Sequence, residues 1–201
     1  MDSSTKFIDW IHRNGFEVIV WDMDCTMSAG HCGSGLPKES LHKYISATSK
    51  DFIHAMNLIY DHNNSCGELK KILRCAVATG SDPLEYDLPG QSRATHILGP
   101  DLATEVIRCH CPHTLDLFET MVGYDCRLHN DENHANDSTN PEHHNRNGKR
   151  HHMRVIQQHY GVAYHKMVLI DDSASSLENE DGWIGVKVDG REGFKFEHIP
   201  N

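Results

Sequence analysis

Apolar and polar positions alternate along the chain in blocks that change period several times. Between Lys6 and Arg13, Phe7, Ile8 and Ile11 recur at helical spacing, with Ser3 or Ser4 available as a cap and Gly15 just past the end. The run Glu17 to Asp22, EVIVWD, is β-branched and aromatic between its two acidic ends, which predicts a buried strand. After Met27, Gly30, Gly33 and Gly35 interrupt any regular element. From Thr48 to Tyr60, Phe52, Met56, Ile59 and Tyr60 form one apolar helix face. Ile72 to Ala78, ILRCAVA, predicts a second buried strand, closed by Thr79-Gly80-Ser81-Asp82-Pro83.

Farther on, Leu102–Cys109 and Leu115–Met121 read as short helices, the first introduced by Gly99-Pro100-Asp101. Residues from Leu128 to Gly148 contain almost nothing that could enter a core, so 129–148 is expected to be a polar, His- and Asn-rich surface loop. Met153, Val155, Ile156 and Tyr160 predict a helix ended by Gly161. Met167 to Ile170 predicts a third strand leading into Asp171-Asp172, and Trp183 to Val188 a fourth. Strands alternating with helices favour a parallel sheet covered on both faces. Ligands bind such sheets beyond the carboxyl ends of the strands. That rule groups Asp22, Asp24, Thr79, Asp171 and Asp172, each at or just past a strand end.

Composition narrows the class. A chain of 201 residues suits one domain with a sizeable core, spanning 1–201. No run reaches the ~18 apolar residues of a membrane span, and the N-terminus lacks a basic lead before an apolar stretch, so a cytoplasmic location is expected. Seven cysteines without framework spacing fit free thiols in a reducing compartment. A net charge of −10 argues against a nucleic-acid surface or an anionic membrane as the main partner.

The chemistry sits in two acidic pairs. Asp22 and Asp24 lie two residues apart at one strand end, and Asp171-Asp172 ends another. Clustered carboxylates repel one another, and an oxygen-only ligand set suits magnesium better than zinc.

Asp22-Met23-Asp24-Cys25-Thr26 resembles the DxDxT signature of haloacid dehalogenase-type phosphatases, and the family's later elements follow in order at Thr79, Lys149 and Asp171-Asp172. The resemblance spans Glu17 to Phe194 and leaves Pro83–Gly148 poorly constrained. It implies a Rossmann-like α/β fold with helices on both faces of a parallel sheet and little or no cap domain, since the segment Met27–Lys71 is short for one. It implies a Mg2+-dependent phosphomonoester hydrolase in which Asp22 is the nucleophile and forms a phospho-aspartyl intermediate. Asp24 would be the general acid/base. Thr79, Gly80 and Lys149 would bind the substrate phosphate, with Lys166 a competitor for the lysine's role. Asp22, Asp172 and the main-chain carbonyl of Asp24 would hold the metal, with Asp171 in support. Where many relatives carry Asp or Asn four residues after the metal-binding acid, this chain has Ser176, with Ser173 or Asn179 as substitutes. The partner implied is a phosphorylated substrate of unspecified class. Two alternatives use the same residues: phosphoryl transfer to an acceptor other than water, and a catalytically silent phosphate- or metal-binding module.

Other features carry less. Cys109-His110-Cys111-Pro112-His113 is too crowded for one tetrahedral zinc without a tight turn, and no second CxxC pair supports it. The histidines at 129, 134, 143, 144, 151 and 152 read as part of a solvated segment. Strand alternation predicts that Cys25 faces the core.

Overall fold

The computed structural model describes residues 3–32, 35–65, 72–81, 90–123, 149–178 and 181–200. The expected loop at 129–148, together with Gly33, Asp82 and Asn179, lies outside them. The helices are α1 (Ser3–Asn14), α2 (Leu41–Ser46), α3 (Lys50–Ser65), α4 (Gly99–His110), α5 (Arg150–Tyr160) and α6 (Ala174–Leu177). The strands are β1 (Val18–Trp21), β2 (Leu36–Pro37), β3 (Arg74–Ala78), β4 (His96–Ile97), β5 (Phe118–Val122), β6 (Met167–Asp171) and β7 (Ile184–Lys187).

Five strands form a parallel sheet in the order β5-β3-β1-β6-β7, and β2 pairs with β4 in a separate antiparallel ribbon. The fold is therefore α/β and Rossmann-like. β1 lies at the centre because its residues can be buried on both faces: Val18, Ile19, Val20 and Trp21 are all fully buried. Alternation divides them between two cores. Ile19 and Trp21 join Cys75, Val77, Val168 and Ile170 against α1, α3 and α4, through side chains such as Phe7, Phe52, Met56 and Val106. Val18 and Val20 join Ala76, Ala78, Met167 and Leu169 against α5, through Met153, Ile156 and Tyr160. The single layer of apolar side chains on α5 explains its strong polar-apolar division. Gly161 ends that helix with φ of 63°, a left-handed conformation that glycine adopts without a Cβ penalty.

The expected helix at Leu115–Met121 is a misreading. Pro112–Leu117 is a 3-10 helix, and Phe118–Val122 is β5, the edge strand parallel to β3. The spacing Leu115, Phe118, Met121 is compatible with a helix, but one buried residue followed by four more exposed ones suits a sheet edge, and pairing with β3 decides. No described helix is long and apolar enough to cross a membrane.

Candidate active site

β3, β1 and β6 are adjacent and parallel, so their carboxyl ends open on the same side. Asp22 follows β1, Thr79 follows β3, Asp171 closes β6 and Asp172 comes next. The Asp22 N–H donates to Ile170 O at 2.9 Å, which continues the sheet register by one residue and fixes the carboxylate beside β6. One oxygen from each of Asp22, Asp171 and Asp172 lies within 4.8 Å of the others, an arrangement that could hold a metal ion.

Lys149, at the start of α5, is buried among these acids. Its Nζ donates to Asp22 Oδ1 at 2.7 Å and to Ala78 O at 2.6 Å, and stands 3.9 Å from Asp171 Oδ2. The competing Lys166 is elsewhere, donating to Glu17 Oε1 at 2.8 Å near the amino ends of the strands. Burial raises the Asp22 carboxyl from 3.8 to about 7; the Lys149 ammonium opposes that shift and Asp171 adds to it. Burial likewise raises Asp171, again opposed by Lys149. Asp171 Oδ1 accepts the Ser173 N–H at 2.7 Å, and the Ser176 hydroxyl also reaches this carboxylate. Ser176 thus contacts Asp171 from α6, and Ser173 contributes its backbone. Asp171 Oδ2 is buried with no hydrogen-bond donor.

Asp24 stands apart from the three-carboxylate cluster, held by a different set of groups. Its Oδ1 accepts the Tyr44 hydroxyl at 2.5 Å; its Oδ2 accepts the Cys32 N–H at 3.0 Å and Sγ–H at 3.1 Å, with His31 Nδ1 at 3.2 Å. Burial, then the Asp24 charge, pushes the pKa of the Tyr44 hydroxyl up, so it keeps its proton and stays a donor.

On the other flank, Thr79 is buried, and its N–H donates to Val122 O at 2.9 Å. Thr79 O accepts a hydrogen bond from His152 Nε2 at 2.9 Å. Lys149 and His152, three residues apart on one face of α5, therefore grip the successive carbonyls of Ala78 and Thr79. In a trans peptide the N–H points opposite to the C=O, so this grip turns the Gly80 N–H away from α5.

Tyr44, Cys32, His31 and His152 were not anticipated from sequence. For His152 a signal existed in its spacing from Lys149; for Tyr44 none did, since it is brought in by a turn of chain 20 residues away. Cys25 was misplaced: β1 ends at Trp21, the Cys25 N–H turns to Gly30 O at 3.0 Å, and φ of 57° takes the residue out of strand geometry. Its side chain is half-buried near Asp172, Asp24 and Asp22, which with burial raise its thiol.

No family model matches the chain, and no curated protein does. Among solved structures it is similar to the N-terminal part of a protein from Bacteroides fragilis described as containing a phosphatase domain complexed with Mg, with a TM-score of 0.49 and 13% identity. That alignment covers 98% of this chain and 43% of the other, so this chain spans less than half of that structure's length.

Proposed function

We propose that the chain is a magnesium-dependent phosphomonoester hydrolase of the haloacid dehalogenase type, in which Asp22 forms a phospho-aspartyl intermediate and water is the final acceptor. The observation that carries this reading is the meeting of Asp22, Asp171 and Asp172 at adjacent strand ends, with the Lys149 ammonium against the first two. A structural salt bridge needs one acid for one base. Here Asp22 and Asp171 share one ammonium and Asp172 stands beside them, so carboxylate is in excess of cation at a largely buried place, where unpaired charge is costly.

A divalent cation offsets that charge, and the donor set fits a hard one: carboxylate oxygens, among them the buried Asp171 Oδ2 that has no donor. Asp22, Asp171 and Asp172, with the main-chain carbonyl of Asp24, would hold magnesium, which when bound supplies positive charge to the phosphoryl oxygens and to Asp22.

The chain's own groups then divide the work. A carboxylate oxygen of Asp22 attacks phosphorus, and the bond to the leaving oxygen breaks as that oxygen takes a proton from Asp24. Asp24 next removes a proton from water. The water oxygen attacks phosphorus, the Asp22–phosphorus bond breaks, and inorganic phosphate leaves. Two of the three Lys149 N–H donors are engaged, by Asp22 and Ala78 O, so the third is available to a phosphoryl oxygen. The Thr79 hydroxyl and the Gly80 N–H are the further donors on the β3 side.

The test is hydrolysis of an aryl phosphate, followed by a panel of natural phosphomonoesters, with magnesium, with EDTA, and for Asp22→Asn. Turnover that needs magnesium and falls at least ~10³-fold in Asp22→Asn is expected. Turnover indifferent to that substitution, or none from folded protein on any substrate, would overturn the proposal.

A further inference from the structure

Asp24 is oriented by an element outside the parallel sheet. Tyr44 lies on α2, is 4% exposed, and delivers its hydroxyl to Asp24 Oδ1. Several contacts fasten α2 to the loop that follows Asp24. Ser28 Oγ donates to Tyr44 O at 3.3 Å, and the Ala29 N–H donates to Ala47 O at 3.0 Å. The loop is also shaped to admit the ring. A Cβ placed on Gly30 would stand 2.9 Å from Tyr44 Cδ2, closer than real Cβ contacts, and 3.1 Å from Cε2, so a side chain at residue 30 would displace the ring.

A carboxylate oxygen offers two lone pairs. The Cys32 N–H and Sγ–H already engage Oδ2 twice, with His31 Nδ1 beside them. Oδ1 has one hydrogen bond, from Tyr44, and one lone pair left.

We infer that Tyr44 is a positioning residue for the acid/base: by donating to Oδ1 it fixes the direction of the remaining lone pair, and Asp24 Oδ1 is the atom that passes the proton to the leaving oxygen and later takes one from water. The inference rests on the phosphatase reading above and adds to it a residue and an atom. In the first step the Oδ1–H bond breaks and an O–H bond to the leaving oxygen forms, while the electron pair of the P–O bond goes to that oxygen. In the second the water O–H bond breaks and the proton returns to Oδ1, so Asp24 ends as it began. Tyr44 keeps its own proton throughout.

General-acid help matters most when the leaving oxygen is strongly basic, and hardly at all for a nitrophenolate. Tyr44→Phe removes one oxygen and keeps the ring. The experiment compares kcat and KM for wild type, Tyr44→Phe, Gly30→Ala and Asp24→Asn across p-nitrophenyl, phenyl and alkyl phosphates, with thermal melts confirming that each variant is folded. Asp24→Asn calibrates the signature, a loss of kcat that grows as the leaving group becomes more basic. Tyr44→Phe is expected to show the same trend in weaker form, roughly 10–100-fold in kcat on the alkyl phosphate and under about 3-fold on p-nitrophenyl phosphate, with KM little changed. Gly30→Ala, which displaces the ring, is expected to repeat the trend. If Asp24→Asn shows it while Tyr44→Phe loses nothing, or loses all substrates in parallel, the inference is overturned and the phosphatase reading stands. If Asp24→Asn shows no leaving-group dependence, or wild type turns over none of the three, the reading beneath the inference fails and takes it down.

Discussion

Replacing Lys149 by Met keeps most of the side-chain volume in a buried position and removes the charge. Without metal, the loss has two parts with different pH dependence. One is the orphaned Ala78 carbonyl, worth about 1–3 kcal/mol at any pH. The other comes from Asp22. In the wild type its carboxyl is raised from 3.8 to about 7, so the stability it lends as a neutral acid is present below 3.8 and lost as pH rises to 7; above 7 the dependence is flat. Lys149 is the main influence lowering that value, so in Lys149→Met the carboxyl rises further and stability keeps falling past pH 7. Each pH unit over which that carboxyl stays protonated adds about 1.4 kcal/mol, so the gap between the two proteins widens from pH 7 upward. The assay is urea unfolding in EDTA at pH 6, 7, 8 and 9, repeated in an Asp22→Asn background where the part owed to Asp22 is removed and only that owed to Asp171 remains. Parallel stability curves for wild type and Lys149→Met between pH 7 and 9, or a divergence undiminished in Asp22→Asn, would refute the reasoning.

Other substitutions probe the flanks and the core. His152→Ala leaves the Thr79 carbonyl without its donor, so inhibition by inorganic phosphate should weaken about 10-fold while His152→Gln retains part of it; equal inhibition constants in all three proteins would count against the proposed binding of phosphate by this turn. Burial raises the Cys75 thiol from 9.0 to about 12, so its stability contribution is present below pH 9 and lost as pH rises towards 12. Cys75→Ala should therefore make the alkaline decline shallower by about 1.4 kcal/mol per pH unit in that window, whatever it costs at neutral pH, and an unchanged slope would contradict the assignment. Ile156, fully buried between α5 and the sheet, should cost about 2–5 kcal/mol as Ile156→Ala, measured by the shift in urea midpoint at constant m.

The sheet's centre was legible because β1, β3 and β6 are continuous apolar runs, and an element buried on both faces needs no partner to be recognised. The edge was not. Phe118–Val122 is half-buried, and its strand character comes from pairing with β3, information that local spacing does not contain. The site divides in the same way. Asp22, Thr79, Asp171 and Asp172 follow directly from strand ends, so chain order alone grouped them. Lys149 could be placed only through the resemblance, and the structure brings it to Asp22 while Lys166 pairs with Glu17. Tyr44 and Cys32 meet Asp24 because α2 and the loop fold back across the mouth of β1, a long-range event with no periodic trace. Cys25 shows the limit of alternation, which holds within a strand and stops at the residue where the backbone leaves it.

A phosphatase of the proposed type carries the phosphoryl group on Asp22 during turnover. The most direct measurement is acid quenching during magnesium-supported turnover of an aryl phosphate, followed by mass spectrometry of the peptide containing Asp22. Part of the protein is expected to carry one phosphoryl group on Asp22, the label to disappear when substrate is exhausted, and Asp22→Asn to acquire none. Sustained turnover with Asp22 never phosphorylated under conditions that preserve acyl phosphates, or phosphorylation at a different residue, would contradict it.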